Sequence, residues 1–439
     1  MIVPSIDLMN GSTVQLVGGR EQALDAGDPR PIAERFRLAG EIAVIDLDSA
    51  LGRTGGRAGG RAGSGTGGDN ASLIGDLLPI ARCRVGGGIR GVQKAVEWLD
   101  AGAAKVILGT AATPEVLREL PASRVIAALD ADRGEVVVKG WREGTGETIL
   151  ERMKRLAGLV GGFLITFVER EGRMGGTNLE LVPELVARAR EGGARVTIAG
   201  GVTTAADVGQ LHAMGADAQV GMALYTGRMD LGDAIAAPLT SDRADGLWPT
   251  VVVDESGMAL GLAYSSDESL RQAVETRRGV YQSRSRGVWV KGASSGDVQE
   301  LLRVDLDCDS DALRFTVRQT GRGFCHNGTR TCWGGATGLA ALAERVTAQA
   351  RGGAVGSYTA RLMSDDALLR SKLVEEAGEL AAARTVDEVT HEAADVMYFT
   401  LVSMLKAGVR MEDLERELDR RALRVTRRPG NAKTQTEVR

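Results

Sequence analysis

The sequence predicts a multidomain protein with a (β/α)8 (TIM) barrel, a β-rich α+β domain and an all-α helical bundle. Its 439 residues are too many for one ordinary hydrophobic core. Three periodicities also follow one another along the chain. Strand and helix patterns alternate over residues 1–240, strands joined by turns occupy residues 243–336, and helical patterns continue over residues 337–430. We take these ranges as three domains.

The first range repeats a short β-branched run followed by a helical pattern about eight times, which is typical of a parallel α/β barrel. The two halves of this range resemble each other, because Asp7 and Asp130 each end a strand and glycine clusters recur in both halves. A duplicated half-barrel explains this repetition better than a nucleotide-binding sheet does. The predicted strands are Ile2–Ile6, Ala43–Leu47, Lys105–Leu108, Arg124–Leu129, Phe163–Thr166, Arg195–Ala199 and Ala218–Val220.

A glycine-rich segment, Thr54–Gly68, interrupts this pattern after the second strand. Its glycines and arginines predict a flexible solvated loop. An insertion without function is the simpler interpretation, and the sequence leaves its role open.

Composition and charge narrow the classes of partner. The formal net charge is −4, from 54 basic and 58 acidic residues, so neither nucleic acid nor a membrane is an expected partner. The longest apolar stretch, Leu156–Val168, is shorter than the roughly 20 residues that span a bilayer. The four cysteines cannot form a disulfide framework in so long a chain. We therefore expect a soluble, cytoplasmic protein that acts on small molecules.

In the second domain, three carboxylates occupy alternate positions with one thiol among them, and two further thiols follow in the sequence. The carboxylates belong to Asp307, Asp309 and Asp311, and the thiols to Cys308, Cys325 and Cys332. Carboxylates suit Mg²⁺, whereas three thiolates suit Zn²⁺ and leave a fourth position for water, as in a catalytic zinc site. A structural zinc with another fourth ligand is the alternative. His326 follows Cys325 and either packs there or moves protons beside the metal.

Further motifs in this range carry a family resemblance. Tyr281–Arg286, Trp289–Gly292, Ser294–Gly296, the Asp307–Asp311 run and the Cys325–Cys332 spacing together resemble phosphoribosyl-AMP cyclohydrolase. The resemblance implies hydrolysis of the N1–C6 bond of adenine, with zinc on the cysteines and magnesium on the aspartates. It also implies a homodimer with each site built across the subunit interface. The expected phosphate contacts are Ser283, Arg284, Ser285, Arg286 and Lys291.

The third domain places carboxylates one turn apart on two predicted helices. They are Glu375, Glu376 and Glu379 on one helix, and Glu392 and Asp395 on the next. Inward-facing like charges are unfavourable unless cations neutralise them, and Mg²⁺ with a diphosphate is the usual reason for such a cluster. A solvated acidic face is the alternative.

The same range resembles phosphoribosyl-ATP pyrophosphohydrolase. The resemblance rests on Ser357–Leu362, Lys372–Glu379, Glu392–Asp395 and Arg424–Arg428. It implies Mg²⁺-dependent cleavage of the α–β phosphate bond, which releases diphosphate and phosphoribosyl-AMP. That product is the substrate of the second domain's family, so two unrelated sets of motifs imply consecutive reactions.

Glycine clusters at strand ends predict two phosphate sites on the barrel, because glycine allows close approach to backbone N–H groups and a following helix adds its N-terminus. Asp7 and Asp130 lie between the two clusters and form a natural base and acid pair. A substrate with two phosphates is therefore expected. The phosphate contacts would be Gly87, Gly88, Arg90, Gly109 and Thr110 in one half, and Gly200, Gly201 and Gly221 in the other.

Residues 1–240 resemble the isomerase that converts the imidazole-carboxamide imine ProFAR by an Amadori rearrangement. The motifs are Val3–Leu8, Val85–Arg90, Thr166, Arg170–Gly172 and Ala223–Gly227. The resemblance implies that Asp130 protonates the ribose ring oxygen, Asp7 removes the C2′ proton and Thr166 assists.

Two positions depart from the isomerase family, which usually has aspartate where Phe167 stands and often arginine where Met222 stands. Two interpretations follow: a trifunctional enzyme, or a bifunctional hydrolase with a scaffold or dimerising barrel. A regulatory protein that binds phosphoribosyl compounds without catalysis would leave both metal clusters unexplained.

Overall fold

A computed structural model describes residues 1–19, 21–52, 70–138, 143–171, 176–352 and 357–427. Two compact units are present. One comprises Met1–Val251, Leu262–Arg318 and Leu423–Arg439, and the other comprises Val252–Gly261 and Gln319–Ala422. The predicted loop Thr54–Gly68 lies outside the described residues, as does Gly172 of the Arg170–Gly172 motif.

The first unit contains a closed parallel barrel, as the sequence predicts. The strands of its sheet are β1 (Ile2–Met9), β2 (Ser12–Val17), β3 (Glu21–Gly27), β4 (Glu41–Asp46), β5 (Arg82–Gly86), β6 (Lys105–Leu108), β7 (Val125–Asp132), β8 (Glu135–Val138), β9 (Glu143–Thr148), β10 (Gly162–Phe167), β11 (Arg195–Ala199) and β12 (Ala216–Val220). The order β1-β4-β5-β6-β7-β10-β11-β12 is parallel throughout, and β12 returns to β1. The hairpin β2–β3 extends β1, and β8–β9 extends β7.

Helices follow the barrel strands, and all of them except α2 bury apolar side chains on one face. They are α1 (Pro29–Phe36), α2 (Leu47–Ala50), α3 (Asn70–Leu77), α4 (Val92–Ala101), α5 (Pro114–Leu117), α6 (Ile149–Leu156), α7 (Val182–Glu191), α8 (Ala205–Ala213), α9 (Met222–Tyr225) and α10 (Leu231–Ala236). Helix α6 illustrates why they form. Thr148 and Glu151 make a reciprocal capping box at its start, and Ile149, Met153 and Leu156 fall on its buried face.

Side chains that point into the barrel fill it in layers. The middle layer is apolar and contains the buried cluster of Ile107, Ile126, Leu164 and Ala199. Because strand side chains alternate, Thr166, two residues after Leu164, and Asp130, four residues after Ile126, also face inward. The apolar layer therefore closes the barrel beneath the strand ends that carry Asp7, Asp130 and Thr166.

Ion pairs close the opposite end of the barrel. The Arg84 guanidinium and the Lys105 ammonium contact the Glu41 carboxylate at 2.7 and 3.0 Å. Although burial opposes ionisation, these two cations hold the pKa of Glu41 at about 2. Arg84 also donates to the Thr197 hydroxyl at 3.1 Å. The inward-pointing charges at this end are thus paired, which a buried charge requires.

A further sheet follows the barrel. Its strands are β13 (Trp248–Val253), β14 (Ala259–Ser265), β17 (Gln299–Leu306) and β18 (Leu313–Gln319), in the order β14-β13-β18-β17, with a separate hairpin of β15 (Val280–Ser283) and β16 (Gly287–Val290). Helix α11 (Asp267–Thr276) begins at the Ser266 cap and packs against β15. The buried Tyr281 donates its hydroxyl hydrogen to Gln299 at 2.6 Å. This region confirms the predicted change from α/β alternation to strands with turns.

The second unit contains α12 (Gly338–Gly352), α13 (Tyr358–Ser364), α14 (Asp366–Ala382), α15 (Val386–Lys406) and α16 (Met411–Ala422). Their core is apolar and consists of Val346, Leu362, Leu369, Phe399 and Val402. Helices α14 and α15 pack against each other, and a Thr385–Glu388 capping box starts α15. Over the described parts of the chain, no helix is both long and apolar enough to cross a bilayer.

Candidate active sites

A cavity of about 360 Å³ opens at the carboxyl ends of the barrel strands. Asp7, Asp130 and Thr166 all line it. Thr166 and Asp130 are direct neighbours, because they pair in register between β10 and β7. The structure therefore brings together the three barrel residues that the sequence predicts to be catalytic.

Burial shifts the acidity of two carboxyl groups in this cavity. Desolvation raises the pKa of Asp7 to about 6. The Ser5 hydroxyl, which donates to the Asp7 carboxylate at 2.9 Å, has the smaller and opposite effect on this pKa. Desolvation, reinforced by the charges of Asp7 and Asp130, raises the pKa of Glu171 to about 7. Both groups can exchange protons near neutral pH, which general acid–base catalysis requires.

Glu171 is a candidate site residue that is not among those predicted from the sequence. It follows the 3₁₀ turn Val168–Arg170 at the end of β10, and it lines the cavity. A carboxylate just after a barrel strand is the signal that could have found it, since βα loops build the active face of such barrels.

Every residue predicted to bind phosphate on the barrel lines this cavity: Gly87, Gly88, Arg90, Gly109, Thr110, Gly200, Gly201 and Gly221. Some of these glycines are also needed for packing. Gly87 has a φ of 93°, and a Cβ there would lie 2.2 Å from the Asp46 carbonyl oxygen. At Gly109, in contrast, a Cβ would meet no described atom within 4 Å. Packing thus explains Gly87, whereas the open space at Gly109 faces the cavity.

The two departures from the isomerase pattern lie in different places. Phe167 is 1% exposed, and strand alternation points it away from the barrel interior that Thr166 faces. Met222 lines the cavity. Only the second departure therefore changes the cavity wall.

The Asp307, Asp309 and Asp311 carboxylates converge in the turn between β17 and β18. One oxygen from each lies within 4.8 Å of the others. Although desolvation opposes it, N–H donation from Ala312 and Asp311 to the Asp307 carboxylate lowers the pKa of Asp307. The negative charge of Asp309 raises the pKa of Asp311. The three carboxylates repel one another, and a divalent cation that prefers oxygen ligands, such as Mg²⁺, would relieve this repulsion.

The three predicted zinc ligands are divided between the two compact units. Cys308 belongs to the first unit, is exposed, and has its Sγ 3.8 Å from Asp309 Oδ1. Cys325 and Cys332 belong to the second unit. The Cys325 Sγ lies 4.0 Å from Nδ1 of the exposed His326.

Gly261 provides space for the Cys325–Cys332 loop within the second unit. A Cβ at Gly261 would lie 2.2 Å from the Phe324 ring and 3.0 Å from Cys332 Sγ. The Cys332 amide donates to the Leu260 carbonyl at 2.8 Å. A glycine beside this backbone contact thus lets the cysteine loop pack closely.

The predicted phosphate contacts of the second domain lie at one hairpin. Ser283 ends β15, and Arg284, Ser285 and Arg286 form the turn to β16. The Arg284 guanidinium lies 5.0 Å from the centre of the Tyr264 ring. Lys291 is buried and donates to the Asp297 carbonyl at 3.3 Å, so its ammonium group supports the backbone after β16.

Part of the predicted carboxylate cluster of the third domain converges. Oxygens of Glu376, Glu379 and Glu392 lie within 4.8 Å of one another, on α14 and α15. Desolvation and the charges of Glu392 and Glu376 raise the pKa of Glu379. The Lys372 ammonium contacts both Glu375, at 2.9 Å, and Glu376, at 2.7 Å, and Asp395 lies 3.7 Å from His391. Glu375 and Asp395 are not among the three converging carboxylates.

Comparison with known families supplies the remaining observation. Residues 1–230, more than half of the chain, match the family described as histidine biosynthesis protein. The chain belongs to this family. Within this histidine biosynthesis protein, residues 261–334 match phosphoribosyl-AMP cyclohydrolase and residues 339–422 match phosphoribosyl-ATP pyrophosphohydrolase. These are the families that the sequence motifs resemble.

Similar proteins carry related names. A histidine biosynthesis trifunctional protein of Neurospora crassa is 51% identical over 47% of this chain and 24% of its own length. A histidine biosynthesis bifunctional protein of Schizosaccharomyces pombe is 50% identical over 47% of the chain and 49% of its own length. The chain therefore spans about a quarter and about half of these two relatives. An imidazole-4-carboxamide isomerase of Methanosphaerula palustris is 37% identical over 54% of the chain and 98% of its own length.

Proposed function

We propose that this histidine biosynthesis protein catalyses three consecutive reactions. It hydrolyses phosphoribosyl-ATP to phosphoribosyl-AMP and diphosphate, opens the adenine ring to give ProFAR, and isomerises ProFAR. One observation carries the proposal: three successive stretches of the chain match families whose reactions share their intermediates. The full-length similarity to an isomerase supports the barrel's part.

In the barrel, Asp7 removes the C2′ proton and Asp130 protonates the ribose ring oxygen. Above pH 6, Asp7 is mostly the carboxylate that this step needs, because its pKa is about 6. Thr166 lies beside Asp130 and assists it. The Glu171 carboxyl, with a pKa of about 7, is a further proton donor or acceptor in the same cavity. Glycines of the two halves bind the two phosphates through backbone N–H groups, and the open space at Gly109 favours this use.

In the central region, the thiolates of Cys308, Cys325 and Cys332 hold zinc and the Asp307, Asp309 and Asp311 carboxylates hold magnesium. The donor chemistry supports both assignments. When bound, zinc supplies a Lewis acid that shifts the pKa of water towards neutrality. His326, near Cys325, transfers a proton during ring opening. Ser283, Arg284, Arg286 and Lys291 bind or support the substrate phosphate.

In the C-terminal region, which we propose to be an all-α bundle, Glu376, Glu379 and Glu392 hold magnesium, with Glu375 and Asp395 beside them. The convergence of the first three carboxylates supports this proposal. When bound, the ion neutralises diphosphate charge at the cleaved bond. Lys372 contacts Glu376 at 2.7 Å and orients it.

We further propose that the protein is cytoplasmic, binds phosphoribosyl nucleotides as its small-molecule partners, and forms a homodimer through the cyclohydrolase region. Light scattering of the purified chain tests the last point. A dimer supports it, whereas a monomer that opens the adenine ring contradicts it.

A bifunctional hydrolase with a scaffold barrel is the second candidate, and the observation that favours it is Met222 in the cavity wall. Separate assays with phosphoribosyl-ATP, phosphoribosyl-AMP and ProFAR distinguish the two candidates. The trifunctional proposal predicts turnover of all three. Binding of ProFAR without conversion would support the scaffold instead.

A further inference from the structure

Ser310 has a backbone conformation that serine rarely adopts. It lies between Asp309 and Asp311 with a φ of 62°, and it is only 3% exposed. In this left-handed region the Cβ crowds the following carbonyl, so the surrounding structure must hold the residue there. The contacts of Ser310 show what holds it.

Two residues from the barrel range form hydrogen bonds with the carbonyl and the hydroxyl of Ser310. The Thr240 amide donates to the Ser310 carbonyl at 2.8 Å. The Nε2 atom of His212, in the last turn of α8, lies 3.1 Å from the Ser310 hydroxyl oxygen. The nitrogen of Met1 lies 3.4 Å from His212 Nδ1. His212 Nε2 and the Ser310 hydroxyl therefore share one hydrogen bond, in which either group can be the donor.

Ser310 connects these contacts to the aspartate turn. Its two neighbours are Asp309 and Asp311, and the Asp311 amide donates to the Asp307 carboxylate at 3.0 Å. A change in the φ of Ser310 would therefore move Asp309 and Asp311 relative to Asp307, and it would open the arrangement that brings the three carboxylates together.

We propose that His212 and Thr240 are positioning residues for the divalent-cation site of Asp307, Asp309 and Asp311. The inference rests on the proposed magnesium site at this turn. The barrel then has a second function in addition to its own chemistry: it holds the metal-binding turn of the neighbouring region in its binding conformation. His212 acts through Ser310 and contacts neither the ion nor the substrate.

The test uses the full zinc-loaded chain and Mn²⁺ as a paramagnetic probe for the magnesium site. Mn²⁺ titration followed by electron paramagnetic resonance is compared for wild type, His212→Ala, Ser310→Gly and the double variant. Asp309→Asn removes one carboxylate of the turn, so the class of bound Mn²⁺ that this variant loses is the one at the turn. Gln210→Ala is the matched control, because it removes an exposed side chain from the same helix.

His212→Ala should weaken the turn's Mn²⁺ affinity roughly three- to tenfold, the value of one lost hydrogen bond. Ser310→Gly should bind normally and should restore binding in the double variant, because glycine adopts a φ of 62° without an anchor. The Mg²⁺ concentration needed for half-maximal ring opening should follow the same pattern, while isomerisation stays unchanged in every variant.

Normal Mn²⁺ affinity in His212→Ala would overturn the inference, and so would a double variant as weak as the single one. Absence of an Asp309-dependent Mn²⁺ site from wild type would overturn the proposed magnesium site and this inference together. If the wild type has that site and His212→Ala binds Mn²⁺ there with equal affinity, only this inference is overturned.

Discussion

Burial has two opposing effects at Asp7. The cavity removes water from its carboxylate and raises its pKa to about 6, which gives the group useful basicity near neutral pH. The same desolvation destabilises the folded protein wherever the group is ionised. Catalytic value and stability should therefore separate when the charge is removed.

Asp7→Asn should stabilise the protein at pH 7.5, by on the order of 1–3 kcal/mol. A carboxyl whose pKa is raised on folding penalises the folded state above that pKa, and the penalty vanishes as pH falls below the ordinary value of 3.8. Urea unfolding at pH 7.5 and pH 4 measures the effect. A gain of equal size at both pH values would show that desolvation of the charge is not its cause.

Asp7→Asn should also lower kcat for isomerisation by roughly 10²-fold or more, with little change in KM, because asparagine keeps the shape but cannot accept the proton. Asp130→Asn should lower kcat similarly. Phosphoribosyl-ATP cleavage by the same variants is the control for folding. An isomerase rate equal to wild type in Asp7→Asn would show that another group removes the proton.

Wild-type isomerisation should depend on pH through Asp7. Its kcat/KM should fall as pH decreases through about 6, because protonation removes the base, and the limiting slope should be about tenfold per pH unit. Initial rates between pH 5 and 8 at constant ionic strength test this. A rate independent of pH across this range would contradict the assignment of Asp7.

Some site residues can be predicted from sequence and others cannot. Asp7, Asp130 and Thr166 can be found because the end of a barrel strand is a local signal. Glu171 carries a local signal as a carboxylate just after a barrel strand, but its raised pKa comes from burial beside Asp7 and Asp130, which are distant in sequence. The strained φ of Ser310 also depends on remote contacts, with His212 and Thr240.

Among the elements, the loop Cys325–Cys332 carries two of the three proposed zinc ligands. Cys325→Ala should remove a thiolate, lower the zinc content and abolish ring opening, while phosphoribosyl-ATP cleavage continues. Elemental analysis and separate assays test this. Cys83→Ala is the matched control, since Cys83 is a buried barrel thiol. Full zinc content and normal ring opening in Cys325→Ala would contradict the ligand assignment.

The helix pair α14–α15 carries the proposed pyrophosphohydrolase centre. Glu376→Gln should weaken Mg²⁺ binding and reduce diphosphate release at least tenfold, because it removes one charge from the converging group. Asp395→Asn should have a similar but smaller effect, since Asp395 is not among the three converging carboxylates. Asp387→Asn, at an exposed position on α15, is the control. Equal loss of all three activities would indicate misfolding instead.

The sequence predicts elements better than it predicts their association. Local periodicity locates seven of the eight barrel strands to within a few residues, and Arg82–Gly86 is not among the predicted ones. The strand Arg195–Ala199 is predicted and observed, whereas the strand predicted at Ile2–Ile6 extends to Met9. The structure also joins residues 262–318 to the barrel in one unit. Contacts such as that of Arg271 with Asp233 at 2.7 Å contribute to this, and no periodicity encodes such pairs.

At the scale of the whole molecule, the proposal places three reactions on one chain in the reverse order of their chemistry. The reaction proposed for the C-terminal region releases the substrate of the central region, and the reaction proposed for the central region yields the substrate of the barrel. Because one chain carries all three regions, the three proposed active sites are produced in equal numbers. If the His212 contact acts as we propose, the barrel also supports the centre that supplies its substrate.

One experiment tests the central claim most directly. Purified wild-type chain, supplied with Zn²⁺ and Mg²⁺, is given phosphoribosyl-ATP as the sole substrate, and quenched samples are separated by chromatography that resolves ProFAR from its isomer. The trifunctional proposal predicts release of diphosphate, transient phosphoribosyl-AMP and ProFAR, and final accumulation of the isomer. Accumulation of ProFAR without its isomer, or no release of diphosphate, would contradict it.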